Sequence, residues 1–168
     1  ESGSGANHLC LPKNPVHPPN YNDADNAGTR SLLYGTEYQL NYFPPLVGLH
    51  DHDASCAVCQ SVRSVVTHLG VTECPSGWVT EYSGYVMSTQ YQQNRREHVC
   101  VDVEAELLSG TGVNTNGALW YVSEPRCDSL PCSSYPSGWE LSCAVCQVPT
   151  TCDGTAEVPL NGEVVSGC

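Results

Sequence analysis

Two copies of the tetrapeptide Cys-Ala-Val-Cys, at 56–59 and 143–146, constrain the fold of this chain more than any other feature. Each copy is followed by glutamine. Each is also preceded, much earlier in the chain, by a cysteine between apolar residues, Cys10 in one case and Cys100 in the other. These landmarks recur with an offset of roughly ninety residues, a period typical of two fused subdomains and not of a short-repeat solenoid. The spacing therefore predicts two pseudo-repeated halves packed together.

The predicted boundaries follow from the landmarks of the repeat. Residues 1–60 form the first half, which is truncated, and residues 61–148 form the second. Residues 149–168 form a polar C-terminal tail, which we expect to be a hairpin or an arm.

Eleven cysteines in 168 residues predict a disulfide scaffold. Cysteine pairs at this spacing can also bind zinc, but the two pairs lie far apart and among many other cysteines, so disulfides are favoured. A thioredoxin-like redox pair fits poorly, because no βαβ pattern surrounds either copy. Because disulfides persist in oxidising compartments, we expect a secreted, extracellular protein.

The charge of the chain restricts its partners. Eighteen acidic residues against six basic ones give a formal net charge of −12. This charge argues against nucleic-acid binding and against docking on anionic lipid, and it permits divalent cations or basic partners. No apolar run approaches the roughly 20 residues of a transmembrane helix, so no membrane insertion is expected.

The secondary-structure pattern is mainly β. Segments rich in Val, Tyr, Trp and Thr and bounded by Gly, Pro or Asn predict strands at 32–40, 58–69, 78–87, 98–103, 118–122 and 141–148. No stretch keeps a helical apolar period for three turns; residues 103–108 could form one short helical turn.

The run His50, Asp51, His52 and Asp53 is a candidate metal site. In an extended segment the two histidines share one face and the two aspartates share the other. Either pair could then bind a divalent cation, zinc or calcium. The alternative is a solvated loop with no ligand. No other cofactor is indicated.

A second candidate site combines amides with aromatic rings. Asn114 and Asn116 could donate hydrogen bonds to ligand hydroxyls, and Trp120 and Tyr121 could stack on a sugar face. A plain turn is the favoured interpretation of the two asparagines, and packing in the core or at the subdomain interface explains the aromatic residues at least as well. Catalytic motifs such as Gly-x-Ser-x-Gly and His-Glu-x-x-His are absent from the sequence, so we do not expect an enzyme.

Several phrases of the sequence resemble a known family. They include Cys-Pro-Ser-Gly-Trp at 74–78, Gly-Tyr-Val-Met at 84–87, Leu-His-Asp-His-Asp at 49–53 and the second Cys-Ala-Val-Cys. Together they resemble the C-terminal non-collagenous domain of type IV collagen, and more closely the invertebrate short-chain, spongin-like collagen-related proteins. The resemblance covers residues 5–148 and implies that each half is a subdomain of this non-collagenous type. The chain has no Gly-X-Y repeat and so cannot itself form a triple helix.

The resemblance implies a disulfide pairing: Cys74–Cys146, Cys100–Cys143, Cys127–Cys132 and, in the first half, Cys10–Cys56. Cys59, Cys152 and Cys168 are left over. Either the tail supplies a partner for Cys59, or Cys152 and Cys168 close their own loop. In both cases the odd count leaves one thiol free or linked to another chain, and we favour an intermolecular bond.

Three functions are compatible with these observations. The first is a non-enzymatic, self-associating module linked to the extracellular matrix. For this module the resemblance implies a homo-oligomer, for which a trimer is one option, and a matrix protein or glycan as partner. The second is a carbohydrate-binding lectin that acts through multivalency. The third is a secreted metal-binding protein.

Overall fold

The computed structural model describes residues 5–17, 31–149, 157–160 and 163–166. Within these ranges strands outnumber helices eight to one, which confirms the mainly β prediction. The strands are β1 (Thr36–Tyr38), β2 (Val65–Leu69), β3 (Val79–Ser88), β4 (Val99–Asp102), β5 (Ala118–Val122), β6 (Ser142–Gln147), β7 (Glu157–Leu160) and β8 (Glu163–Ser166). Each predicted strand is present, but β1 and β2 occupy only part of their predicted segments.

The chain forms two compact units. Unit 1 contains Glu1–Val58, Ser88–Glu97 and Glu106–Tyr121, and unit 2 contains Cys59–Met87, His98–Ala105 and Val122–Cys168. The predicted boundary at residue 60 lies near the first break between units. Two segments of the predicted second half nevertheless belong to unit 1, so the units are discontinuous in sequence. The pseudo-repeat stays a prediction.

Unit 1 is built around a short parallel pair of strands. β1 pairs with β5 in parallel, with Glu37 opposite Leu119. A 3-10 segment at Pro44–Leu49 begins at two consecutive prolines, whose fixed φ suits a first helical turn. Its Leu46 and Leu49 are buried with Tyr38, Leu40 and Phe43. This 3-10 segment was not predicted from the sequence.

Unit 2 is an antiparallel arrangement centred on β6. β6 pairs with β2 along one side and with β3 along the other, and β3 also pairs with β4. Cys143, Ala144, Val145 and Cys146 of β6 are all buried, as expected for a strand with neighbours on both sides. Gly84 of β3 lies so close to β4 that a Cβ atom would overlap the carbonyl of Val101, so only glycine fits there.

Two smaller predictions have different outcomes. The helical turn predicted at 103–108 was wrong, because Asp102 instead ends β4 in a turn: its side chain accepts from Glu104 N and its carbonyl from Ala105 N. Leu107 then forms an isolated bridge with Ala54. In the tail, β7 and β8 pair as an antiparallel hairpin, which is one of the two predicted alternatives.

The structure contains all four disulfides that the resemblance implies. Cys10–Cys56 lies in unit 1, and unit 2 holds Cys74–Cys146, Cys100–Cys143 and Cys127–Cys132. Four such bridges indicate that the protein folds in an oxidising environment. Cys59 is exposed and has no disulfide partner among the described cysteines. Cys152 and Cys168 lie outside the described residues. Among the residues that are described, no helix is long and apolar enough to span a membrane.

Candidate functional site

A buried carboxylate organises the candidate binding loop of unit 1. Glu37 is only 1% exposed, and its Oε2 accepts hydrogen bonds from Thr115 N, Thr115 Oγ1 and Asn116 N at 2.9, 3.1 and 3.3 Å. Its Oε1 accepts from Gln39 Nε2 at 2.8 Å. Four neutral donors thus solvate a carboxylate that has been removed from water, as a buried charge requires. No sequence motif marks Glu37 as a site residue.

The loop at 114–117 is therefore a tightly held turn. Asn116 has a φ of 52°, in the left-handed region that asparagine tolerates better than most residues. Its side-chain amide donates to Asn114 Oδ1. Ala118 N donates to Gly35 O at 2.8 Å. A Cβ atom at Gly117, the residue before it, would crowd the same Gly35 carbonyl oxygen. The side chains of Asn114 and Asn116 are thus paired with each other.

The two predicted stacking aromatics make contacts inside unit 1. The half-buried Trp120 ring packs edge-on to His8, with ring centres 5.0 Å apart, and at a tilt against Tyr38 at 5.8 Å. Its buried Nε1 has no hydrogen-bond partner among the described residues. Burial, and secondarily the negative charge of Glu37, raises the pKa of the half-buried Tyr121. The structure therefore brings Asn114, Asn116 and Tyr121 near one carboxylate.

The His50–Asp53 run forms a turn and not the extended segment that was assumed. Asp51 has a φ of 60°, so the alternation that would place the two histidines on one face is lost. The turn follows the 3-10 segment and is held to β1 by two side chains. His50 Nδ1 accepts from Leu40 N at 3.2 Å, and Asp51 Oδ1 accepts from Gln39 Nε2 at 3.0 Å.

The remaining two residues of the run also make local contacts. His52 Nδ1 lies 2.9 Å from the His50 carbonyl, and Asp53 N donates to Thr111 Oγ1 at 3.1 Å. In the described part of the chain, no group of three or more histidine, cysteine, aspartate or glutamate side chains is placed to hold a metal ion. Metal binding by this run stays a prediction.

Unit 2 contains a groove that sequence reasoning missed. Its volume is about 700 Å³, and its lining comes from residues 70–73, 133–136 and 139–142 together with Pro125. We name it the Trp139 groove. Trp139 and Tyr135 are 69% and 39% exposed within it.

A sequence signal for the groove exists. Pro-Ser-Gly-Trp occurs at 75–78 and again at 136–139. Gly77 and Gly138 adopt nearly the same backbone conformation, with φ of 84° and 83°. The two tryptophans differ, because Trp78 is half-buried and packs edge-on to His68 with ring centres 5.3 Å apart. One copy of the motif thus serves packing, and the other presents its ring to solvent.

No protein-family model matches this chain, and the curated proteins and the solved structures likewise yield no match. The likeness to the non-collagenous domain of type IV collagen therefore remains a resemblance of short sequence phrases. Function has to be argued from the residues of this chain and their geometry.

Proposed function

We propose that the protein is a non-enzymatic extracellular module that self-associates and contributes to an extracellular matrix. The observation that carries this proposal is the free outer edge of β2. The four disulfides and the absence of recognisable catalytic motifs in the sequence support the extracellular and non-enzymatic parts.

β2 is an edge strand within the described part of unit 2. It pairs with β6 along one side, and no described strand pairs along its other side. Val148 N donates to Ser64 O at 2.9 Å, and Gly70 N donates to Ser142 O at 2.7 Å. Because antiparallel pairing alternates, the even-numbered residues of this segment direct their backbone groups to β6. The backbone groups of Val65, Thr67 and Leu69 therefore point away from it.

The side chains of β2, like its outward-pointing backbone groups, favour pairing with another strand. Val65 and Leu69 lie on one face of the strand and are 47% and 53% exposed. Natural edge strands are usually protected by charged residues, especially lysine, or by proline. β2 reads Val-Val-Thr-His-Leu and contains neither. An edge of this kind is a template for pairing with a further strand, and we propose that a second copy of the chain supplies it.

The exposed Cys59 lies six positions before β2 begins. With an odd number of cysteines, an exposed thiol in an oxidising compartment is suited to a disulfide between chains. Such a bond would hold an assembly together covalently. The charge of −12 restricts further matrix partners to neutral or basic surfaces.

The test is sedimentation of wild type, Thr67→Pro and Thr67→Val over a range of concentrations, each in the Cys59→Ser background. Proline removes an N–H that points away from β6, so it blocks the outer edge while leaving the β2–β6 pairing intact. We expect an oligomeric parent, a Thr67→Pro variant shifted toward monomer, and a Thr67→Val control that matches the parent. A parent that is monomeric at every concentration would contradict the proposal, as would a Thr67→Pro variant that associates normally.

Carbohydrate recognition is a second candidate function. The predicted residues Asn114, Asn116 and Trp120 are engaged within unit 1, but the Trp139 groove offers an exposed aromatic surface for the same purpose. Divalent-cation binding at the His50–Asp53 turn is a third. Native mass spectrometry with added calcium or zinc, compared with a His50→Ala/His52→Ala variant, tests it directly.

A further inference from the structure

We propose that the Trp139 groove binds a neutral oligosaccharide by stacking a sugar ring on Trp139. The groove lies wholly within unit 2. The inference does not depend on self-association, because a single chain carries the whole site.

The aromatic residues indicate the apolar part of the ligand. Trp139 and Tyr135 expose large ring surfaces inside one concave site. Tryptophan is usually well buried, so a ring that is 69% exposed in a groove marks a binding surface. The C–H faces of a pyranose ring can cover such a surface while its hydroxyl groups stay hydrated at the edge.

The polar lining indicates the rest of the ligand. Thr72, Ser133, Ser134 and Ser142 contribute aliphatic hydroxyl groups, which both donate and accept hydrogen bonds. Glu73 and Glu140 contribute carboxylates, which accept hydrogen bonds from ligand hydroxyls. Among the described residues that line the groove, none is a lysine, arginine or histidine. Sulfated, phosphorylated or acidic sugars would meet two negative charges and no positive one, so the ligand must be uncharged or cationic.

The lining favours a neutral sugar over a cationic peptide. A cation needs few hydroxyl partners, whereas an oligosaccharide presents many hydroxyls that need both donors and acceptors. Four serine and threonine hydroxyls beside two carboxylates match that need. A volume of about 700 Å³ is within the usual range for small-molecule sites and suits a ligand of a few rings.

Both walls of the groove are covalently anchored. The wall at 70–73 precedes Cys74, which is bridged to Cys146, and Gly70 N donates to Ser142 O at 2.7 Å. The lining segment at 133–136 follows the Cys127–Cys132 bridge, and Cys127 N donates to Ser137 Oγ at 3.1 Å. A site formed before the ligand arrives does not have to be ordered on binding, which favours affinity.

The test is isothermal titration calorimetry with a panel of neutral trisaccharides built from glucose, N-acetylglucosamine, mannose or galactose, and with trilysine as a cationic probe. Three variants are compared with wild type: Trp139→Ala, Trp139→Phe and the control Tyr91→Ala. Tyr91 is a highly exposed aromatic residue outside the groove. Circular dichroism shows whether each variant folds, and sedimentation on the same samples reports oligomeric state.

We expect at least one trisaccharide to bind wild type and Tyr91→Ala equally. Trp139→Ala should weaken that binding by about tenfold, because the stacking surface is lost, and Trp139→Phe should retain most of it. The inference is overturned if no trisaccharide binds, if Trp139→Ala binds as well as wild type, or if only trilysine binds. It is also overturned if Trp139→Ala changes the oligomeric state measured by sedimentation while no trisaccharide gives a binding signal by calorimetry.

The outcomes separate this inference from the proposed self-association. A monomer that binds a trisaccharide through Trp139 supports the groove and contradicts the assembly. An oligomer that binds no sugar does the reverse.

Discussion

Glu37 and Thr115 are joined by two hydrogen bonds across 78 positions of sequence. The backbone N–H and the hydroxyl of Thr115 both donate to Glu37 Oε2, at 2.9 and 3.1 Å. The shared carboxylate fixes the 114–117 loop against β1. The other carboxylate oxygen, Oε1, accepts from the side-chain amide of Gln39, which also donates to Asp51 Oδ1. Glu37 and Gln39 therefore link the 114–117 loop to the His50–Asp53 turn.

The first prediction concerns this carboxylate. Glu37→Gln keeps the shape of the side chain but replaces one acceptor oxygen with an NH2 group. At least one buried donor then loses its partner, so we expect the free energy of unfolding to fall by about 2 kcal/mol. Urea unfolding measures the change. The control Glu124→Gln alters an exposed carboxylate and should leave stability unchanged. Equal stability of the two variants would show that Glu37 does not hold the loop.

The second prediction concerns alkaline pH. Burial raises the pKa of Tyr38 to about 12, whereas the unfolded phenol ionises near its ordinary value of about 10. Between these values the unfolded state has released a proton that the folded state retains, so stability present below pH 10 is lost as the pH rises. For this phenol the loss between pH 9 and pH 11 should be about 1 kcal/mol.

Urea unfolding of wild type and Tyr38→Phe at both pH values isolates the contribution of Tyr38, because the other tyrosines are common to the two proteins. The decrease should be smaller in Tyr38→Phe. Identical decreases in the two proteins would mean that Tyr38 titrates normally.

The third prediction compares two disulfides of unit 2. Cys100–Cys143 closes a loop with a sequence separation of 43, and Cys127–Cys132 closes one of 5. The chain-entropy model gives about 4 kcal/mol for the longer loop and about 2 kcal/mol for the shorter. The double variant Cys100→Ser/Cys143→Ser should therefore be less stable and more poorly secreted than Cys127→Ser/Cys132→Ser. Secretion of the single variant Cys100→Ser at wild-type yield would argue against the Cys100–Cys143 pairing.

The fourth prediction concerns Cys59. If its thiol joins two chains, the non-reduced protein should migrate as a covalent dimer on a denaturing gel, and reduction should convert it to monomer. Cys59→Ser should abolish the dimer. Cys152→Ser and Cys168→Ser serve as matched controls and should retain it. A dimer that persists in Cys59→Ser would assign the interchain bond to the tail.

The sequence alone determined the local features of this protein. Segments rich in β-branched and aromatic residues between turn residues predict the strands, because such side chains fit a pleated, half-buried surface. Cysteine number predicts a disulfide scaffold, and the resemblance of the surrounding phrases supplied the four pairings. The 3-10 segment at Pro44–Leu49 was missed because it is too short to show a helical period.

Long-range relationships were decided only by the tertiary structure. Nothing near Glu37 in sequence shows that its carboxylate meets Thr115, since that contact requires β1 and β5 to pair in parallel. Likewise, nothing near Trp120 in sequence shows that its ring contacts His8. The identical Pro-Ser-Gly-Trp phrases make the distinction clearest. Gly77 and Gly138 have nearly the same φ, but Trp78 contacts His68 and Trp139 is exposed to solvent, because exposure depends on what the rest of the chain packs against each ring.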